Sequence, residues 1–431
     1  MFGPPDGLEH FAEARSELDF CPALAILLHL PFVCARSENA ISASTKGALG
    51  SMPPLPQPRA GQSLLIKQRP VRFSNWPTRR GRVHHALQSL VFARDPWLMI
   101  ARCIEQQCPT PRRPEALATL EQSKDFYSAA VSGIIIAARP LALYYSFMNL
   151  VKAYCLMRGS RTTFDQAQHG IAELRTPGAI GLAGAFLRAF QSIPTAPSNN
   201  FAEFKEVLTG VGLPATTDYQ LPVLLPQVVP GHRVWAMESK KSERFISLHD
   251  LRFRQDRSSR TMWLDLYFVA DDLSRLGITH QRLLAESGLS SNFREVDCTE
   301  QWNSRQLLRF EQVTALPYPD AHPADQIDSV IDVIRPSLWT TVATATPYRR
   351  YYVYLSPIAE RPFVLPQLLS IYAIMYYLGS ITRYRPHHYD NLTQGPYGAW
   401  IQEFVGGQPL QFLYLMASEF MRQDVTKPAI L

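Results

Sequence analysis

The 431-residue sequence lacks the signatures of the commonest enzyme classes. It has no glycine-rich phosphate loop, no dinucleotide fingerprint, no zinc-binding HExxH and no GxSxG nucleophile elbow. Cysteine is scarce, with six residues at positions 21, 34, 103, 108, 155 and 298. Only Cys103 and Cys108 stand close together. Without a second pair or a nearby His they make no zinc site, so neither a metal nor another cofactor is expected. Scattered thiols suit a reducing cytoplasm, and Cys155, set in an apolar helical pattern, reads as a buried structural thiol. Long hydrophobic runs are missing too. Phe20–Ala35 is interrupted by Pro22, His29 and Pro31, and five acids and one Arg precede it, the reverse of a secretory signal. Phe363–Ile381 contains Pro366, Gln367, Ser370 and Gly379 and reads as a buried helix, not a membrane span. Residues 1–51 can also be read as an upstream extension, with Met52 as the natural start.

Acid is absent from residues 51–94, which hold Arg59, Lys67, Arg69, Arg72, Arg79, Arg80, Arg82 and Arg94. The whole chain carries a formal charge of +6, so its apparent basicity belongs to this one segment, and the body from residue 95 onward is nearly neutral. Residues 1–94 are therefore expected to be an extension and a basic, Pro-rich arm with little order, either simply solvated or directed at a polyanion. His84-His85 beside it reads as surface.

What the sequence does have is periodicity. The part 95–230 reads as helical, mainly over 95–191, with Pro114-Glu115 opening one helix and a pattern over Leu117–Ala138 that has few breakers except Gly133. Arg139-Pro140 then starts a second helix, apolar around most of its surface and ended by Gly159. Residues 192–230 look irregular. Between 231 and 360, the segments Arg233–Met237, Phe245–Phe253, Thr261–Val269, Arg294–Val296, Leu308–Val313, Trp339–Thr346 and Arg350–Leu355 have strand composition. Asp271–Ser287 and Asp325–Ile334 interrupt them as helices, the acids Asp271-Asp272 suiting a helix start. Helical pattern returns over 363–384 and Gly398–Gln423 within a last segment, 361–431. The fold class is α+β: a helical bundle formed by both ends of the chain, with an inserted, mainly antiparallel β-sheet. Arg139-Pro140 and Arg361-Pro362 echo each other as RPxxL helix starts, each preceding a double tyrosine, Tyr144-Tyr145 and Tyr376-Tyr377.

Several stretches resemble the YaaC-like proteins, a bacterial family. They are FYSAA at 126–130, RPLALYYSFMNLVKAY at 139–154, His169-Gly170, YYLGSITRYRP at 376–386, FLYLMASE at 412–419 and the terminal KPAIL. The resemblance covers roughly residues 95–431 and implies no activity. The YYSFxNLxKA helix followed by His-Gly is also similar to HEPN-type helical domains, many of them metal-independent ribonucleases with an Arg, a short spacer and a His. Arg383 and His388 fit that spacing. Tyr384 stands where a small polar residue is usual, and Pro386 interrupts any helix joining the two.

Metal-independent RNA cleavage needs a base for the ribose hydroxyl and a cation for the phosphate. On this reading Arg383 and His388 are the catalytic pair. Arg139, Tyr145, Asn149, Lys152, His169, Arg385 and His387 bind substrate. Tyr145, Asn149 and Lys152 fall on one helix face at i, i+4 and i+7. The bland reading stands beside it: cations at the end of an apolar helix oppose the negative end of its dipole, and the polar stripe is exposed or bonded within the fold. The partner is then RNA or a nucleotide or, for a noncatalytic binding or regulatory module, a protein partner or a second copy in a homodimer.

Overall fold

The computed structural model describes residues 54–80, 85–179, 181–193, 197–319, 322–342 and 349–429. The apolar run Phe20–Ala35, Met52 and His84 lie outside them. The fold is α+β. Among the described residues no helix is long and apolar enough to cross a membrane.

The N-terminal helices are α1 (Pro96–Gln107), α2 (Arg113–Val131) and α3 (Arg139–Arg158). Asp95 caps α1 by accepting the Trp97 N–H at 3.0 Å. Pro140 sits in the first turn of α3, where its missing N–H costs nothing, and Gly159 follows the last turn. The α2 pattern stops at Val131, earlier than the sequence suggested. Gly133 adopts a positive φ, and 132–138 form turns. Three shorter helices follow: α4 (Asn200–Thr209), α5 (Leu221–Leu224) and α6 (His232–Ser239). The last replaces the expected strand at Arg233–Met237, because Gly231 and Lys240, both left-handed, bracket a helix that buries Trp235. Strands Ile171–Arg175, Ala185–Ala189 and Thr217–Gln220 form a small antiparallel sheet inside the region read as helical or irregular.

The middle sheet orders Gln62–Ser63, Asp250–Asp256, Thr261–Val269, Arg305–Gln312 and Phe293–Val296, all antiparallel. Its apolar face buries Phe253, Leu264, Leu266, Phe268 and Phe310 against α7 (Ala270–Arg275), α8 (His280–Ser287) and α9 (Ile327–Asp332). Asp271-Asp272 do stand in the first turn of α7, where both receive Arg305 at 3.0 Å. Phe245–Phe253 splits at the 248–249 corner, and Phe245–Ser247 joins a second sheet with Arg349–Tyr354 and Leu338–Val342.

The C-terminal helices are α10 (Gln367–Tyr384), α11 (Pro386–Thr393) and α12 (Gly398–Met421). Arg361-Pro362 lies in a 3₁₀ turn, and Pro366 precedes α10, so the second RPxxL opens no helix. One apolar cluster contains Leu143, Phe147 and Leu150 of α3, Ile374 and Leu378 of α10 and Phe412 and Met416 of α12. Phe147 and Phe412 stack at 4.0 Å. Gly379 allows α10 to approach α3 closely, since a Cβ there would fall 2.9 Å from the Tyr144 Cβ. A parallel pair, Val91–Phe92 with Val425–Thr426, closes the helical part.

The expected arm is, over 54–80, laid on the protein. Leu64, Ile66, Val71 and Phe73 are buried in the middle-sheet core, which composition and charge alone did not reveal. Thr78–Arg80 pairs with His85–Leu87, and His85 Nδ1 lies 3.1 Å from Asp325.

Candidate functional site

The polar stripe of α3 lies in the seams between α2, α3 and α10. Asn149 is buried and donates from Nδ2 to Gln122 Oε1 of α2 at 2.7 Å, which satisfies a side chain that would otherwise be costly to bury. The Tyr145 ring stacks on Phe126 at 5.4 Å, and its hydroxyl accepts from Arg383 Nη1 at 2.7 Å. Arg383 comes from the last turn of α10, one turn beyond the close contact at Gly379, and its guanidinium lies 5.0 Å over the Tyr384 ring. Lys152 is half-buried. Burial lowers its pKa, and Glu115 works in the opposite direction.

His169 completes the group from the loop after α3. Gly170 takes a positive φ and passes so close to Asn199 that a Cβ would come within 2.7 Å of it. The Phe201 N–H donates to the His169 carbonyl at 3.2 Å, and Gln168 exchanges backbone bonds with Ser198 and Asn200. The imidazole Nδ1 is 2.5 Å from the Tyr144 hydroxyl, and the Tyr144 ring packs edge-on against the rings of Tyr372 and Tyr376 at centroid distances of 5.9 and 5.1 Å. Burial, then the charges of Lys152 and Arg383, hold the His169 pKa below its ordinary value, so the ring is neutral at pH 7. Burial holds the Tyr144 phenol protonated. When its O–H donates to Met148 Sδ, 3.7 Å away, Nδ1–H donates to Tyr144 and Nε2 carries the lone pair of a base. When it donates to Nδ1, Nε2–H becomes a donor instead.

The remaining sequence-predicted residues go elsewhere. The chain breaks between α10 and α11 at Arg385, so Arg383 and His388 do not share a helix, as Pro386 implied. Arg385 pairs with Glu173, whose other oxygen accepts from Ser380 at 3.2 Å. The Arg175 guanidinium donates to His388 Nε2 at 2.8 Å and takes up the lone pair a base would need. Burial, then Arg175, lowers the His388 pKa. His387 is exposed. Arg139 is half-buried at the start of α3, its Nε without a hydrogen-bond partner among the described residues, and its charge bears on Tyr127 and Tyr389. The sequence reading missed Tyr144, Tyr376, Glu173 and Arg175. The double tyrosines were a signal for the first two; the acid and base sit on a strand that read as helix.

A family model described as a YaaC-like protein matches residues 85–420. The chain belongs to the YaaC-like family. The YaaC-like match contains every residue of the Tyr145–Lys152–His169–Arg383 cluster and leaves residues 54–80 outside it. No curated protein and no solved structure matches the chain. Among the described residues no group of His, Cys, Asp or Glu could hold a metal ion, and Cys103, Cys108 and Cys155 are buried thiols whose pKa burial raises.

Proposed function

We propose that Lys152, His169, Arg383 and Tyr145 form a binding site for a phosphate group carried by RNA or a nucleotide. The observation that carries this reading is the pairing pattern. Among the described residues Arg383 has no acid partner and bonds only a phenol, Lys152 makes no ion pair, and both charges bear on one neutral imidazole. A phosphate would supply the missing negative charge, with Arg383 as a planar donor fork and Lys152 as a point charge. Tyr384, 67% exposed beside Arg383, offers a face on which a base can stack. His169, with Nε2 as base, is better placed than His388 to take a proton from a ribose hydroxyl, because Arg175 occupies His388.

The experiment is binding and cleavage of short labelled RNA and mononucleotides in chelator. Lys152→Ala and Arg383→Ala should each weaken binding by about tenfold, roughly 1.4 kcal/mol. His169→Ala should abolish any cleavage. Binding unchanged in both cation variants overturns the reading; binding without cleavage removes the nuclease step alone. A second reading, a protein-binding module, is favoured by one feature: the turn after α2 exposes Ile134 and Ile136 at 86% and 75%.

A further inference from the structure

Residues 54–63 cross the polar face of the middle sheet as an extended strap. The Asp297 N–H donates to the Pro56 carbonyl at 2.9 Å. The Arg59 N–H donates to Glu311 Oε2 at 2.7 Å, and its guanidinium donates to the carbonyls of Gln312 and Val313 at 3.3 and 2.9 Å. The same guanidinium lies 5.0 Å over the Trp263 ring. Gly61 passes so near the indole that a Cβ would fall 2.4 Å from Trp263 Cη2. Gln62 and Ser63 then pair with Gln255 and Arg254 at the sheet edge.

Three observations set the strap apart from its seat. Burial changes sharply at residue 64: positions 54–57 and 60–63 are exposed, whereas Leu64, Ile66, Val71 and Phe73 are buried in the core. Polar contacts hold the strap and apolar burial holds the next segment, so local opening releases the strap first. The seat also keeps polar atoms that the strap does not use. Trp263 Nε1, Asp265 Oδ1 and Arg309 Nε are buried without a hydrogen-bond partner among the described residues, an uncommon condition in a surface built only to be sealed. Finally, the floor lies within the YaaC-like match and the strap lies outside it.

We propose that this face is a docking groove for an extended Arg-x-Gly segment of a partner protein, with residues 54–63 as its resident occupant. The peptide adds a strand at the Asp250–Asp256 edge. Its arginine lies on Trp263 and reaches the two carbonyls, Glu311 takes a backbone N–H, and glycine alone fits against the indole. Tethering favours the resident segment, so a partner enters as the strap opens.

The test uses the full chain and a labelled peptide of sequence PLPQPRAGQS, residues 54–63. Gly61→Val drives the strap off Trp263; Arg59→Ala, which adds no bulk, is the second variant. In each, amide exchange over 57–63 should rise about tenfold while Leu64–Phe73 keep their protection, and the peptide should bind about tenfold tighter than to the unaltered chain. A peptide carrying Arg59→Ala should lose that gain. Strap release without peptide binding overturns the proposal. So does exchange over 57–63 that stays unchanged in both variants, or that moves only together with 64–73.

Discussion

On the polar face of the middle sheet, arginine meets acid at close range. Arg309 lies 2.7 Å from Asp265, Arg294 lies 3.0 Å from Glu311, and Arg252 reaches both Asp250 and Glu300 at 2.6 Å. In the seam between α3 and α10, Arg383 meets a phenol, and Lys152 has only the more distant influence of Glu115. Both regions lie over well-packed cores and both gather cations. In the sheet the negative charge is built into the chain, and burial makes the Arg309–Asp265 pair depend on both members. In the seam no acid pairs with Arg383 or Lys152 among the described residues, and the proposed phosphate site rests on that difference. The contrast also exists over two residues of one turn, because Arg385 is neutralised by Glu173 while Arg383 is not.

The largest test of the contrast is removal of one cation from each region. Arg309→Met removes the nearer of the two cations on Asp265, leaving Arg254 at 3.5 Å beside a carboxylate that is fully buried and directly opposite Glu311 in the register. The loss should be about 3–5 kcal/mol in urea unfolding. Arg383→Ala should change stability by no more than about 0.5 kcal/mol, as for a surface side chain without a paired charge. Equal losses would mean that the seam cation is structural after all.

The extent to which the sequence anticipated these regions follows from how local each signal is. Thr261–Val269 was legible to the residue, because its β-branched and aromatic run forms a central strand. The α3 helix was nearly so, from Pro140 to Gly159. Ile171–Arg175 was not. Its residues Ala, Glu, Leu and Arg favour helix, and it becomes a strand only through pairing with Ala185–Ala189, a tertiary effect that overrides propensity. That one error hid Glu173 and Arg175, and with them the reason Arg385 and His388 are already engaged. Arg383, Tyr145 and Lys152 could be picked out from spacing and from their chemistry. The convergence of Arg383 on Tyr145 could not, because it depends on the helix crossing at Gly379.

A smaller effect separates the neighbouring arginines. Arg385→Ala leaves Glu173, whose side chain is 7% exposed, with Ser380 as its one side-chain partner among the described residues, and should cost about 1–3 kcal/mol of stability while leaving phosphate binding intact. Arg383→Ala should do the opposite, losing about tenfold in affinity with stability preserved. Thermal melts and phosphate titrations on the two variants form a crossed pair, and parallel behaviour would erase the distinction.

The finest test is the titration of His169. Its folded pKa lies below the ordinary 6.5, first through burial and then through Lys152 and Arg383. Between that lowered value and 6.5 the unfolded chain binds more protons than the folded one, so this residue's contribution to stability is complete above 6.5 and is lost as pH falls through the window. A bound phosphate reverses the local field. Near pH 6 it should raise the His169 pKa, and proton uptake should accompany binding. Arg383→Ala should also raise that pKa in the free protein, whereas Arg385→Ala, whose charge is balanced by Glu173, should leave it in place. Ring-proton NMR across pH 4–8 reads all three cases. If Arg383→Ala does not move the imidazole, the guanidinium and the histidine act separately, and the seam holds single polar groups instead of one site.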